Sequence, residues 1–386
     1  MKEKEDYEIK YIKVLDGIRA LAIMVIVWFH FWQQSWIYHQ IGNVSLDFLP
    51  RYGYLLVDMM ILLSSFCLFL PYARSMVYNE EAPNAKKFYL NRVARILPSY
   101  LFSMIISIVF IIICSKEISL GFFIKDTITH LLFIHNNFSD TLLYSNYMAV
   151  LWTLSVEVQF YFVFPYLAKK FMKKPVITYL IMIFIGIIST LFFIINCNDN
   201  NISFFVNHVL TFFMVYANGM LGAWLYVKFT KNKKRNLFKD LCFTFISICC
   251  IYIYRLLCLS INGNIQEWQL NYRLVLSVLF LIFIISTIMS YKYYRKIFEN
   301  KIMKFIALIS FNLYIYHQFI AVKLKEFIIP HWSGDISPNF TGDVKWQWTY
   351  FLLCIIVSLV VAIIMTYCVE KPFSKIIKKK YVEVVR

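Results

Sequence analysis

Ten apolar segments constrain the fold of this chain more than any other feature of its sequence. They lie roughly at 14–32, 53–72, 99–115, 147–167, 175–195, 204–227, 240–259, 273–290, 305–324 and 348–369, and each is close to the length that a helix needs to cross lipid. Of the 386 residues, 60% are hydrophobic and only 16% are charged, which excludes an ordinary soluble protein. The sequence therefore predicts an all-α, polytopic membrane bundle of about ten helices, forming one domain over residues 1–386.

The positions of the basic residues predict how this bundle is oriented. The formal net charge is +17, and most of the 39 Lys and Arg residues lie in the terminal segments and in alternate loops between the spans. Cytoplasmic loops of membrane proteins carry an excess of Lys and Arg. An even number of spans places both termini on one side, so we expect cytoplasmic termini in a multi-pass plasma-membrane protein. The same distribution explains the basic charge without nucleic acid as a partner.

Neither the cysteines nor the loops indicate a separate chemical centre. The nine cysteines lie mostly in apolar runs and form no CxxC pair, so we expect no metal site. The longest loops are too short for an independent domain. Catalytic or binding chemistry is therefore expected from the membrane bundle and its short loops.

The first span contains two side chains that are costly in lipid, Arg19 and His30. At about 100° per residue, eleven residues complete close to three helical turns. Both side chains are therefore predicted on nearly the same face of one helix, which also carries Asp16. A cation, an imidazole and a carboxylate along one face predict a functional site.

Three further polar residues in the spans are candidates for the same site. Asp58 is predicted at a depth similar to that of His30, where a carboxylate would orient the imidazole; the alternative is a structural counter-ion for a neighbouring helix. Glu157 lies near the middle of the fourth span and is expected to be neutral or paired, for example with Arg19. His317 is expected in the outer half of the ninth span, either as a functional residue or as a hydrogen-bonded packing residue.

Two arginines at the start of the third span predict a site for an anion. Arg92 and Arg95 are three residues apart, so they share a helix face at the membrane boundary. Two guanidinium groups there suit a phosphorylated ligand that approaches from the cytosol. The alternative is an anchor that contacts lipid headgroups.

Taken together, these segments resemble the acyltransferase 3 family of integral membrane acyltransferases. The family's motifs occur in order as Leu15–Ala22 with His30, Val57–Leu68, Arg92–Pro98, Trp152–Pro165, Ser310–His317 and Val369–Phe373. The resemblance covers about residues 15–373. Two departures stand out: Ser65 lies where the family usually has glycine, and Asn91 lies where a basic residue is common.

This resemblance implies an enzyme that transfers an acyl group other than aminoacyl, often acetyl, from cytosolic acyl-CoA to a hydroxyl group. The acceptor would be a sugar, a cell-surface polysaccharide or a similar molecule. It also implies that Arg92 and Arg95 bind the CoA phosphates and that Arg19 and His30 are essential. Some members carry a C-terminal SGNH hydrolase-like domain, which we do not expect in this chain.

The residues do not distinguish between two catalytic mechanisms, and they are also compatible with a second function. His30, oriented by Asp58, would act as general base on the acceptor hydroxyl, and an acyl-enzyme on His30 or a nearby tyrosine is the alternative. An exporter or flippase of a glycan or lipid-linked intermediate would show similar spans and charges. No paired half-sequence repeat of the kind found in many transporters is evident. A non-catalytic scaffold would not need so many intramembrane polar groups.

Overall fold

Among the residues that the computed structural model describes, ten helices are long and apolar enough to cross a membrane, which confirms the predicted all-α bundle. The structure describes residue 7 and residues 10–38, 40–41, 44–114, 117–197 and 201–385. The long helices are α1 (Lys13–Ser35), α3 (Leu56–Tyr78), α4 (Ala85–Ile113), α7 (Trp152–Lys173), α8 (Pro175–Asn196), α10 (Phe213–Thr230), α11 (Leu237–Leu259), α12 (Ile265–Met289), α14 (Lys301–Glu326) and α16 (Val344–Ile364). Residue 115, the last of the predicted third span, lies outside the described residues.

Short elements connect these helices. They are α2 (Phe48–Arg51), α5 (Leu120–Leu131), α6 (Ser139–Leu143), α9 (Ile202–Val206), α13 (Lys292–Arg295) and α15 (Pro338–Thr341). Strands β1 (Gln40–Ile41) and β2 (Val44–Ser45) pair antiparallel, with Gln40 opposite Ser45. After α16 the helix widens into a π-helical segment, Met365–Glu370, and continues as α17 (Lys371–Val385).

Polar residues just outside the apolar runs determine where several helices begin. The side chains of Ser119, Asn236, Asn264 and Asp343 each accept a backbone N–H in the first turn of the helix that follows. These caps satisfy donors that a helix leaves unpaired at its N-terminus. Short polar residues between apolar runs thus end one span and start the next.

The chain divides into two compact units. Unit 1 comprises Met1–Ala22, Leu55–Asn84 and Val156–Ala307, and unit 2 comprises Ile23–Tyr54, Ala85–Ser155 and Leu308–Arg386. Helices α1, α7 and α14 contribute a segment to each. The expectation of one domain over residues 1–386 stays a prediction.

In unit 1, helices α3 and α10 pack closely around Ser65. A Cβ atom on Gly219 would lie only 2.5 Å from the Leu62 carbonyl oxygen and 2.7 Å from the Ser65 Cβ. The buried Ser65 hydroxyl donates a hydrogen bond of 2.7 Å to the Tyr216 carbonyl. The serine in place of glycine is therefore accommodated, because Gly219 on the facing helix provides the close approach.

In unit 2, the π-helical segment anchors the middle of α14. The Asn312 amide donates hydrogen bonds to the Thr366 hydroxyl at 2.9 Å and to the Glu370 carboxylate at 2.6 Å. Asn312 belongs to the Ser310–His317 motif and Glu370 to the last motif of the family series. These two motifs thus fix the helix that carries His317.

Candidate active site

Two of the predicted histidines, His30 and His317, lie side by side in unit 2. Their ring centroids are 5.0 Å apart, and the ring planes are tilted by 55°. His30 comes from α1 and is half-buried, whereas His317 comes from α14 and is fully buried. The structure therefore brings together two imidazoles that are 287 positions apart in the printed sequence.

Hydrogen bonds determine which nitrogen of each ring is free to accept a proton. The His317 Nδ1 lies 2.8 Å from the Tyr314 carbonyl oxygen and 3.1 Å from that of Leu313, and since carbonyls only accept, Nδ1 carries the hydrogen. Its Nε2 is buried without a hydrogen-bond partner among the described residues. The His30 Nδ1 lies 3.0 Å from the Gln33 Oε1, which likewise leaves the lone pair of a neutral ring on Nε2.

Aromatic rings surround the two imidazoles. Phe29 packs against His30 at 4.8 Å between centroids, and Phe31 and Tyr314 pack against His317 at 6.3 Å and 5.8 Å. Such apolar surroundings strengthen electrostatic interactions around the two rings. A neutral imidazole with its Nε2 lone pair unused can accept a proton or a hydrogen bond from a ligand.

Arg19 has a carboxylate partner on its own helix. Its guanidinium lies 3.6 Å from the Asp16 carboxylate, one turn earlier, and 3.8 Å from the Cys67 sulfur on α3. The predicted shared face of α1 thus contains an ion pair, which lowers the cost of a charge near the helix end. Of the alternatives for Glu157, an ion pair with Arg19 is not found among the described residues, because the Arg19 guanidinium lies beside Asp16 and Cys67.

Glu157 instead interacts with tyrosines of unit 1. The Tyr161 hydroxyl donates to its carboxylate at 3.2 Å, one turn along α7, and Tyr216 lies within electrostatic range. The side chain is half-buried. These contacts support a structural role for Glu157, and a catalytic role stays a prediction.

Asp58 forms a buried ion pair in unit 1 rather than the predicted contact with an imidazole. Its carboxylate accepts a hydrogen bond of 3.0 Å from the Arg273 Nε and one of 3.3 Å from the Gln269 amide, and both charged side chains are fully buried. Arg273 also donates to the Val206 carbonyl and the Thr211 hydroxyl. The alternative interpretation, a counter-ion for a neighbouring helix, is therefore the one that the contacts support.

Arg273 is a partner that the sequence argument missed. It lies at the edge of the predicted eighth span, where an arginine is easily taken for a boundary residue. Its guanidinium stacks over the Phe212 ring at 4.0 Å and is completely buried. The sequence feature that could have indicated this ion pair is the opposite charge of Asp58, which is predicted at a similar depth.

Arg92 and Arg95 lie on α4, as predicted, and both are half-buried. Arg92 stacks over the Phe88 ring at 5.9 Å. Arg95 interacts electrostatically with Glu370, so the third and last motifs of the family series meet in unit 2. Arg95, which was predicted to bind an anionic ligand together with Arg92, therefore already interacts with a carboxylate of this chain.

A buried cluster of polar residues after α4 was likewise not predicted from the sequence. The His130 Nδ1 lies 3.1 Å from the Asp126 carboxylate, and the His130 ring stacks on that of His135 with centroids 3.7 Å apart. The Asn146 backbone N–H donates to Asp126 at 2.8 Å. This cluster joins α5 to the loop before α7, because its side chains satisfy backbone groups of the connecting segment.

The stability of this loop region is expected to depend on pH through His135. Burial, together with the neighbouring His130, lowers the pKa of His135 from 6.5 to about 2. The unfolded chain therefore binds a proton that the folded chain does not, so stability is full above pH 6.5 and falls as the pH drops below it, by up to about 1.4 kcal/mol per pH unit. Unfolding free energies of the wild type and His135→Phe, measured between pH 5 and 7, test this.

The phenylalanine keeps an aromatic ring against His130 but cannot be protonated. His135→Phe should therefore show a shallower loss of stability towards pH 5 than the wild type. His331→Gln changes an exposed histidine and serves as the control. Equal pH slopes for the wild type and His135→Phe would contradict the prediction.

A small cavity lies next to the histidine-bearing helix in unit 2. Its volume is about 170 Å³, and its lining includes Ser107, Ser145, Asn146 and Gln318 together with aromatic rings. Hydroxyl and amide groups beside aromatic faces suit a hydroxyl-rich molecule. Among the described residues, no three His, Cys, Asp or Glu side chains are grouped as a metal ion would need.

Comparison with known proteins identifies the family. A sequence profile described as an acyltransferase domain matches residues 12–367. The chain belongs to this acyltransferase 3 family. The match includes the first five motifs and ends just before the sixth, Val369–Phe373, and it confirms the predicted resemblance.

Two relatives show how the family domain occurs in longer proteins. The peptidoglycan O-acetyltransferase OatA of Listeria monocytogenes is 22% identical over 339 residues, which cover 82% of this chain and 50% of the relative. The O-acetyltransferase OatA of Staphylococcus aureus is 24% identical over 340 residues, which cover 84% of this chain and 53% of the relative. The chain thus spans about half the length of these curated relatives. No solved structure matches it.

Proposed function

We propose that this protein is a membrane O-acyltransferase that moves an acyl group, most simply acetyl, from cytosolic acyl-CoA to a hydroxyl group of a glycan or similar acceptor. The observation that carries the proposal is the His30–His317 pair, which presents unprotonated Nε2 atoms within motifs of an acyltransferase family. The names of the two relatives support acetyl as the group and an O-linked product. A cell-surface polysaccharide is the acceptor class that fits the name of the Listeria monocytogenes relative and the hydroxyl, amide and aromatic groups that line the small cavity.

In the proposed mechanism, His30 is the general base. Its Nε2 takes the proton of the acceptor hydroxyl while the hydroxyl oxygen attacks the thioester carbonyl carbon. The carbon–sulfur bond then breaks, and the CoA thiolate takes the proton from the His30 imidazolium, which returns His30 to its neutral form. His317 acts as a positioning residue: its ring is fixed by two backbone carbonyls, and its Nε2 stabilises the imidazolium that forms on His30.

The proposed topology has both termini in the cytoplasm of a plasma-membrane protein. Under this topology α1 begins at the cytoplasmic surface, and His30 lies roughly 25 Å along it from Lys13 at 1.5 Å per residue. Arg92 and Arg95, near the cytoplasmic start of α4, would hold the CoA phosphates. Arg19, whose charge is balanced by Asp16, is proposed to be essential for activity.

Purified protein with labelled acetyl-CoA tests the function. We expect release of free CoA and transfer of label to an added glycan acceptor, with both rates dependent on donor and acceptor. Protein that binds a glycan but releases no CoA would contradict the proposal and favour an exporter. Mass analysis of surface glycans from wild-type and deletion cells would identify the acceptor.

Neutralising the arginine pair is expected to weaken donor use selectively. Arg92→Gln with Arg95→Gln should raise the KM for acetyl-CoA by at least about tenfold, because hydrogen bonds to a charged group contribute about 1.5–3 kcal/mol. The KM for the acceptor should stay within about twofold, as this site does not contact the acceptor. Initial rates over a grid of donor and acceptor concentrations separate the two constants.

Lys86→Gln with Lys87→Gln provides the matched control for this experiment. It removes two exposed positive charges from the same helix. An equal rise in donor KM for both double variants would indicate general attraction of an anion by the basic surface. It would also remove Arg92 and Arg95 as the donor site.

A further inference from the structure

A second cavity, which is lined mainly by basic side chains, lies in unit 1, where no family motif accounts for it. Its volume is about 540 Å³, within the range of small-molecule sites. It is formed by the start of α1, the end of α12, α13 and the segments beside them. The polar groups that line it include Lys13, Tyr226, Arg235, Lys292, Arg295 and Lys296.

Two guanidinium groups form the inner part of this cavity. Arg295 is buried and donates a hydrogen bond of 2.6 Å to the Ser290 carbonyl oxygen. Arg235 donates to the same oxygen at 3.3 Å and to the Ile288 carbonyl at 3.0 Å. Both arginines are therefore held in place by the backbone at the end of α12, and their positive charges are close together.

The lining carries more positive than negative charge, although each of the two guanidinium groups has a carboxylate within ion-pair distance. Glu299 lies 3.5 Å from Arg295, and Asp240 lies 3.7 Å from Arg235. Lys292 and Lys296, exposed at the rim, form no ion pair among the described residues and only stack on Tyr293. Glu299 is the one acidic residue in the lining, against five basic side chains.

Burial and the neighbouring Arg295 both change the pKa of Arg235. Burial first, and then the charge of Arg295, lowers the pKa of Arg235 below its usual value, while Asp240 acts in the opposite direction. Asp240 and Glu299 offset the charges of the two arginines, but Lys292 and Lys296 form no ion pair among the described residues, so the net charge of the cavity stays positive. The cavity is thus built to receive negative charge.

We propose that this cavity binds the phosphate groups of a polyanionic ligand, with Arg235 and Arg295 at its base and Lys292 and Lys296 at its rim. Guanidinium forks bind phosphate oxygens in pairs, and lysines add adjustable point charges. The ligand is either a soluble molecule with several phosphates, such as CoA, or an anionic phospholipid headgroup. The site is separate in sequence from Arg92 and Arg95, and only the choice of CoA as a probe rests on the proposed function.

The first test compares two double variants with matched charge loss. Lys292→Gln with Lys296→Gln removes the rim charges, and Lys169→Gln with Lys173→Gln removes two exposed lysines at the same spacing on α7. Binding of CoA and of inorganic pyrophosphate is measured by calorimetry in phospholipid-free detergent. Thermal unfolding is measured in nanodiscs of phosphatidylcholine with and without phosphatidylglycerol. We expect the rim variant to weaken binding about tenfold, and the α7 control to change it less than twofold.

Glu299→Gln provides a second test, because a misfolded variant would not bind the ligand more tightly than the wild type does. Removing the acidic side chain from the lining should tighten binding of the same ligand several-fold, because it removes a repulsion and frees the Arg295 guanidinium. Loss in the rim variant together with gain in Glu299→Gln supports the site. Binding of CoA or pyrophosphate identifies a soluble phosphate ligand, and stabilisation by phosphatidylglycerol alone identifies a lipid headgroup.

Two results would overturn the proposal: no response of the wild type to any of these ligands, or responses that neither variant alters. Acyl transfer is measured on the same preparations. Wild-type protein that binds the anion but releases no CoA in the presence of acceptor would refute the proposed function and leave this site standing. If the rim variant transfers acetyl normally and binds the anion as tightly as the wild type does, the site is refuted and the proposed function is not.

Discussion

Replacing His30 by glutamine is expected to lower the acyl-transfer rate by about 10²–10⁴-fold, the usual contribution of a general base. Glutamine preserves polarity and much of the volume but cannot take a proton from the acceptor hydroxyl. The KM for acetyl-CoA should change little, because the proposed donor contacts are elsewhere. Initial rates of CoA release and of acceptor labelling, with purified protein, provide the measurement.

His317 should give a smaller and chemically graded loss. His317→Leu removes the nitrogen beside His30, whereas His317→Gln retains an acceptor oxygen close to the former Nε2 position. We expect kcat to fall in the order wild type, His317→Gln, His317→Leu, with little change in either KM. A purely structural histidine would not produce this partial rescue.

Two controls distinguish loss of catalysis from loss of fold. His331→Gln, in an exposed segment, should retain full activity, and each variant should show the thermal unfolding temperature of the wild type within a few degrees. Activity of His30→Gln within a few-fold of the wild type would end the assignment of His30 as the base. Equal activities of His317→Gln and His317→Leu would end the positioning role of His317.

Replacing Asp58 by asparagine is expected to destabilise the protein by about 3–5 kcal/mol, the usual result of removing one partner from a buried ion pair. Arg273 is fully buried and would keep its charge without a carboxylate beside it. The remaining bonds from Arg273 to Val206 and Thr211 are to neutral acceptors and replace the lost carboxylate only in part. Denaturant unfolding in mild detergent, at constant detergent concentration, measures the change.

A double-mutant cycle shows whether the cost arises from the uncompensated charge. Asp58→Asn combined with Arg273→Met should be clearly more stable than the sum of the two single changes predicts, since removing both charges leaves neither one unpaired. Asp335→Asn makes the same substitution in an exposed segment and should change stability by less than about 0.5 kcal/mol. Additive single changes would show that Asp58 and Arg273 are not energetically coupled.

The sequence by itself determined the all-α class, the ten spans and the family. Apolar length is a local property, since each span of about 20 residues must satisfy its own backbone hydrogen bonds in lipid wherever it packs. The positions of Arg19 and His30 on one helix also followed from helical geometry alone. The motif series in family order predicted the same family that the sequence profile identifies.

Only the tertiary structure decided which polar side chains become partners. Asp58 was predicted either to orient His30 or to be a counter-ion for a neighbouring helix, and its carboxylate binds Arg273, 215 residues further along the chain. His317 could be a packing residue or a functional one until its ring was found 5.0 Å from that of His30. Pairing inside a bundle depends on which helix faces pack together, and neither hydropathy nor span order contains that information, because every apolar face is equally compatible with lipid and with protein.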